Sequence, residues 1–205
     1  MERRTFLNIG AAGLGSLAVA APLRAQYVPQ QWSGTKEKWA IIFATKYGTA
    51  RDAAVWISEG MGAIADVFDV RRPPANLSEY NHLVFGSAIN GFTILPSMTK
   101  YLEDNAAAIK GKVRGLFIVQ GNLRNMPGPK EAQQLAEGIL GKAAGVTGVP
   151  SAAFGGRITK VIWEPAEYKS NMDAYASMNV STDDLDNLVR ADCLKFGAEI
   201  LAKKA

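Results

Sequence analysis

The segment Phe43-Ala44-Thr45-Lys46-Tyr47-Gly48-Thr49-Ala50-Arg51-Asp52 gathers the residue types that a phosphate group requires. Thr45 and Thr49 offer hydroxyls, and Gly48 lets the backbone approach without a Cβ. A helix starting just after Gly48 would aim its first amides and its dipole at an anion. Lys46 and Arg51 place positive charge nearby. The same composition also suits a surface turn with a helix cap. Elsewhere the reactive residue types are sparse. Cys193 is the single cysteine, so neither an intrachain disulfide nor a cysteine metal cluster can form. His82 is the single histidine and falls at the start of an apolar run, which favours a structural role. Nothing is spaced as a Ser/His/Asp triad or a metal box, so the chemistry must come from a cofactor.

The elements that would carry the loop alternate. Trp39–Ala44 is a short apolar run that predicts a buried strand. Ala50–Ala65 follows as a helix, with Ala54, Ile57, Met61 and Ile64 at helical spacing. Asp66–Val70 is a second strand, stopped by Arg71-Arg72-Pro73-Pro74, and Asn76–Tyr80 is a turn or weak helix. His82–Ser87, Val113–Val119 and Val149–Phe154 predict three more strands. Helices are expected over Leu95–Ile109 and Lys130–Ala144. A last helix is expected over Thr182–Lys203, capped by Thr182 with Asp183, Asp184 and Asp186 near its positive end. Such alternation predicts an α/β three-layer sandwich around a five-stranded parallel sheet of order 2-1-3-4-5. Ligands in sheets of this kind bind at the C-terminal ends of the strands, beside strand 1. The loops after strands 1, 3 and 4 are therefore the candidate site.

The first 25 residues have a different purpose. Adjacent Arg3 and Arg4 precede Phe6-Leu7, an apolar Gly/Ala-rich stretch from Ile9 to Ala21, and the exit Pro22-Leu23-Arg24-Ala25. A cationic head, an apolar stretch of about 13 residues and a small-residue exit make a secretory signal. The stretch is short of the roughly 20 residues of a membrane span. The paired arginines resemble a twin-arginine signal, which implies export by the twin-arginine translocase and a periplasmic location. Residues 26–38 are a polar lead-in, and 39–205 form the domain. Of the net charge of +4, residues 1–25 contribute +2 and the rest of the chain +2. A body this close to neutral, with no basic run, points away from nucleic acid.

Ala44-Thr45-Lys46-Tyr47-Gly48-Thr49-Ala50-Arg51 resembles the phosphate loop of the flavodoxin family. It is most similar to the branch containing menaquinone-dependent protoporphyrinogen oxidase, whose members often carry Ala-Thr-Lys-Tyr-Gly-Ser-Thr-Arg here. Phe154-Gly155-Gly156-Arg157-Ile158 is similar to the Phe-Gly-Gly-Arg-Leu of the same branch. The resemblance spans Trp39 to Ile158 and implies bound FMN. It implies that Thr45, Lys46, Tyr47, Gly48, Thr49 and Ala50 surround the phosphate. Ala50 stands where the family has a hydroxyl, which removes one hydrogen bond worth about 1–2 kcal/mol. After strand 3, Ser87, Ala88, Ile89, Asn90, Gly91 and Phe92 would flank the isoalloxazine ring, with Phe92 either stacked on it or packed beneath the loop. After strand 4, Gln120, Gly121, Asn122 and Leu123 would meet the pyrimidine edge. Gly155 and Gly156 would let the chain pass close to a neighbouring loop, and Arg157 would either face a substrate or brace the fold. Residues 159–181 depart from the branch. Their Trp163, Tyr168, Met172, Tyr175 and Met178 suit a lid, a docking surface or a packed flap.

The resemblance implies an exported FMN-dependent redox protein working with a quinone, an organic substrate or a redox partner protein. A pure electron carrier is a second reading. A flavodoxin-fold binding protein without FMN is a third, suggested by Ala50. The loop after strand 4 lacks the acidic residues and tyrosine of short-chain electron-carrier flavodoxins, so its charge opposes a reduced, anionic ring less. The lower of the two one-electron midpoint potentials of the FMN-loaded protein, measured by spectroelectrochemistry, is expected to lie above that of acidic flavodoxins.

Overall fold

The structure is a computed structural model and describes residues 37–90, 93–121, 129–177 and 183–203. The signal segment and most of the polar lead-in lie outside the described residues. At the end of the lead-in, Lys38 is tied down by Asn81 and Glu79.

The first strand, β1 (Trp39–Ala44), is buried along its whole length. That explains a continuous apolar run rather than an alternating one, since both faces of a central parallel strand are covered. It pairs in parallel with β2 (Ala65–Asp69) on one side and β3 (His82–Asn90) on the other. A two-residue strand, β4 (Thr93–Ile94), turns back antiparallel on the end of β3. On the far side of β3 comes β5 (Val113–Gln120), then β6 (Ser151–Gly155), again parallel. The expected five-stranded sheet of order 2-1-3-4-5 is thereby corrected to a six-stranded sheet, β2-β1-β3-β5-β6 with β4 on β3. The physical reason is that β3 runs on to Asn90, far enough to form a small hairpin with β4. Ser87 secures that hairpin: its buried hydroxyl donates to the Ala88 carbonyl and accepts the Leu95 amide.

Alternate residues along the strands feed two cores. Ile42, Phe85 and Leu116 face one layer, with Met98 and Leu102 of α2 (Pro96–Asp104) and Ile109 of α3 (Ala106–Ile109). Ile41, Val84 and Phe117 face the other layer. It is closed by Ala53, Ala54 and Ile57 of α1 (Thr49–Gly60) and by Cys193, Phe196 and Ile200 of the C-terminal helix (Arg190–Ala202). The Cys193 thiol is fully buried and pushed up to about 12 by desolvation, which leaves it inert.

Four helices differ from their sequence patterns. The expected Ala50–Ala65 helix starts at Thr49 and ends at Gly60, and Ala65 opens β2. The expected Leu95–Ile109 helix breaks at Asn105 into α2 and α3. The expected Lys130–Ala144 helix contains α4 (Pro129–Ala136), a π-helical turn over Glu137–Gly141, and α5 (Lys142–Ala144). The last helix begins at Arg190, not Thr182, and Thr182 lies outside the described residues. The acids expected at its start serve other partners. Asp184 accepts from the Lys160 amide and the Tyr168 hydroxyl, and Asp186 lies in a short strand and pairs with Arg157.

Phe117 is fully buried between the sheet and the α1 layer, with Phe154 at 6.1 Å. Phe117→Ala is expected to cost about 3–5 kcal/mol of unfolding free energy, read by urea denaturation.

Candidate functional site

The chain leaves β1 at Ala44 and turns through Thr45 to Gly48. The Thr45 hydroxyl accepts the Gly48 amide at 2.9 Å, which closes the turn. Gly48 sits at φ 91°, a left-handed conformation that favours glycine, and α1 starts at the next residue. Gly48 gives α1 no side-chain cap, so the first amides of the helix keep their hydrogen-bonding capacity for a ligand.

Beside this turn lies a cavity of about 330 Å³, within the size range of small-molecule sites. Its wall joins the three loops singled out in the sequence. Thr45, Lys46, Tyr47 and Thr49 come from the first, Ala88, Ile89 and Asn90 from the second, and Gln120 and Gly121 from the third. Arg157 lines it too. Three expected residues do not line it. Gly48 shapes the turn, Ala50 is fully buried in the α1 core, and Ser87 is committed to the hairpin. Gly91, Phe92, Asn122 and Leu123 lie outside the described residues. His82 is at the opposite end of β3, against Trp39 and Glu37.

Within the wall, Gln120 carries a buried side-chain oxygen without a hydrogen-bond partner. An acceptor left so costs free energy unless a ligand donor meets it. Arg157 both lines the cavity and braces the fold. Its guanidinium reaches Asp52 of α1 at 3.0 Å and Asp186 at 2.9 Å, and both carboxylates favour its charged form.

Leu95, Val119, Gly156 and Ile158 extend this wall, and the remainder comes from residues beyond the resemblance. After β7 (Arg157–Ile158), which pairs with β8 (Leu185–Asp186), the chain builds α6 (Pro165–Ser177). Met172 and Tyr175 pack with Ile158 and Leu185 in a small core of their own. Trp163, Glu167, Asn171 and Tyr175 face the cavity. Trp163 stacks on Tyr47 with ring centres 4.5 Å apart and planes 19° from parallel. Glu167 accepts from the Tyr47 hydroxyl at 2.6 Å and pairs with Lys46. The segment is thus a packed flap that covers the phosphate-type loop. Sequence reasoning missed Glu167. It is one acid on a helix with little amphipathic pattern, and its partners are about 120 residues away.

A flavodoxin-domain family profile matches residues 40–158. The chain belongs to the flavodoxin-domain family. No curated protein matches the sequence. Among solved structures, a short-chain flavodoxin associated with a non-canonical PDU bacterial microcompartment is similar at 13% identity and a TM-score of 0.51. That alignment covers 82% of this chain and 99% of the other. Oxidised flavodoxin 1 from Bacillus cereus aligns at 17% identity and TM-score 0.49, over 81% of this chain and 98% of that one. The flavodiiron core Flv1 from Synechocystis aligns at 18% identity and TM-score 0.46, over 82% of this chain but 37% of that one. The flavodoxin-like fold is therefore established, with the candidate loops at the strand ends where this fold holds ligands. Among the described residues no group of acids, histidines and cysteines is arranged to hold a metal ion, and no helix is long and apolar enough to cross a membrane.

Desolvation pushes the Glu167 carboxyl up, but hydrogen bonds from Lys46 and Tyr47 outweigh it and hold the group below the ordinary carboxylate range. The Lys46 ammonium is held above its ordinary value, chiefly by the hydrogen bond to Glu167. The carboxylate's contribution is present above its unfolded value and lost as pH falls through the lower folded one. The lysine's contribution is present below its unfolded value and lost as pH rises through the higher folded one. The contact is therefore intact from about pH 5 to about pH 10. The Trp163 emission, isolated by difference against Trp163→Phe, should stay flat across that window and change below about pH 4. A flat signal down to global acid unfolding would contradict this.

Proposed function

We propose that this chain is an exported FMN-binding redox protein that exchanges electrons with a quinone, an organic substrate or a redox partner protein. The observation that carries the reading is the junction of an uncapped helix N-terminus with a cavity walled by all three strand-end loops, in a flavodoxin-family chain. The residues fit the cofactor. Thr49 and the first amides of α1 would hold the phosphate, with Thr45 fixing the turn. Ala88, Ile89 and Asn90 would flank the ring. The unpartnered Gln120 oxygen suits the one N–H donor on the pyrimidine edge of an oxidised flavin. Bound flavin supplies one- and two-electron chemistry that side chains do not offer. The chain's own residues position the ring, limit water under Trp163 and Tyr175, and set the local charge.

The Ala44–Arg51 and Phe154–Ile158 motifs support a place in the branch resembling menaquinone-dependent protoporphyrinogen oxidase. The paired arginines of the leader support export by the twin-arginine route, which carries folded proteins and so suits a chain that collects its cofactor first. The flap favours a flavin-dependent oxidoreductase over an open electron carrier. It puts an aromatic pair and an acid beside the site, where a carrier needs an accessible ring edge.

Protein purified from an exporting host is expected to show flavin absorption bands or to acquire them on titration with FMN. Gln120→Leu should weaken FMN by roughly five- to tenfold without lowering Tm. Colourless protein that takes up no FMN would overturn the reading.

A further inference from the structure

Among the described residues, the cationic side chains at the phosphate-type loop and the adjoining cavity wall have carboxylate partners. Lys46 pairs with Glu167, Arg51 with Asp52, and Arg157 with Asp52 and Asp186. Of these carboxylates, Glu167 is the one on the flap and on the cavity wall. Its side chain is about four-fifths buried, and one of its oxygens takes both the Lys46 ammonium and the Tyr47 hydroxyl. The contact is built. Trp163 lies flat on the Tyr47 ring, the Trp163 indole N–H donates to the Arg157 carbonyl, and the Asn171 amide donates to the Glu167 carbonyl. A carboxylate is thus fixed by donors of the loop that would receive a phosphate.

We propose that Glu167 is a specificity-determining residue of the cavity: an internal anion that a phosphorylated ligand must displace or tolerate and an unphosphorylated one need not. This inference rests on the flavin reading. Phosphate entry then costs either the Lys46–Glu167 pair, which frees the flap, or the repulsion of two neighbouring anions. The cavity separates phosphorylated from unphosphorylated flavins less sharply than a site of the same shape without the acid.

The test is titration of the full chain and of Glu167→Gln with FMN and with riboflavin, followed by quenching of flavin fluorescence at low salt and at roughly 1 M salt. Glu167→Gln should tighten FMN roughly tenfold at low salt and change riboflavin by less than about twofold, with the gap closing in high salt. Lys46→Met, which leaves the carboxylate without its counter-ion, should weaken FMN more than riboflavin. The double variant Lys46→Met/Glu167→Gln should recover most of that loss, a recovery that a lysine acting only as a phosphate ligand would not allow. Equal changes for both flavins, or no change, would overturn the inference and leave the flavin reading standing. Failure of wild type and variants alike to bind either flavin would overturn both.

Discussion

The site depends on one close approach of backbones at the end of β6. A Cβ on Gly155 would stand 2.2 Å from the Asn187 carbonyl oxygen, and one on Gly156 would stand 2.8 Å from the Gly121 nitrogen. Neither side chain can exist there without moving main chain. With hydrogen in their place, the Gly156 amide donates to the Gln120 carbonyl and the Asn187 amide donates to the Gly156 carbonyl. The loop after β5, the exit of β6 and the approach to the last helix are thereby locked together at the cavity wall. Arg157 comes next in the chain, and its two carboxylate partners tie the same point to α1 and to β8. A single dipeptide sets where the flap can root, and so what can lie over the phosphate-type loop.

The electrostatics arise from that geometry. Lys46, Arg51 and Arg157 meet Asp52, Glu167 and Asp186, so among the described residues the charges at the site balance. Attraction for an anion rests on the N-terminus of α1, where partial charges are fixed by the backbone and need no counter-ion. Partly exposed, mutually paired charges add little net stability, but they hold side chains in one arrangement. Here that arrangement is the flap on the loop.

Much of the fold was legible because the signals were local. The run Trp39–Ala44 is apolar on both faces because β1 is central, and the phosphate-type loop is contiguous in sequence. The motif around Gly155 and Gly156 suggested close passage against a neighbour, and the built distances agree. Elsewhere local pattern misled. Asp183, Asp184 and Asp186 resemble the acids of a helix start, yet Asp184 and Asp186 are claimed by Lys160, Tyr168 and Arg157, between 16 and 29 residues away. Ser87 has the right residue type for a ligand contact, but the small hairpin uses its hydroxyl. Tertiary partners chose between two locally reasonable fates, and one-dimensional spacing does not display them.

The division between shared and particular falls at Ile158. The flavodoxin-domain match ends there, and the residues up to that point make the sheet, the turn at Gly48 and most of the cavity wall. The chain beyond Ile158 supplies Trp163, Glu167, Asn171 and Tyr175, all on one flap with its own small core of Ile158, Met172, Tyr175 and Leu185. That core is built on a strand pair of two residues each, and its grip on the body runs through Arg157, the Tyr47–Trp163 stack and the Lys46–Glu167 pair. Its apolar cluster is separate from the two main cores, so its position on the body is set by these polar and aromatic contacts. The family's sheet therefore places the three strand-end loops, while the flap residues complete the cavity wall over the phosphate-type loop.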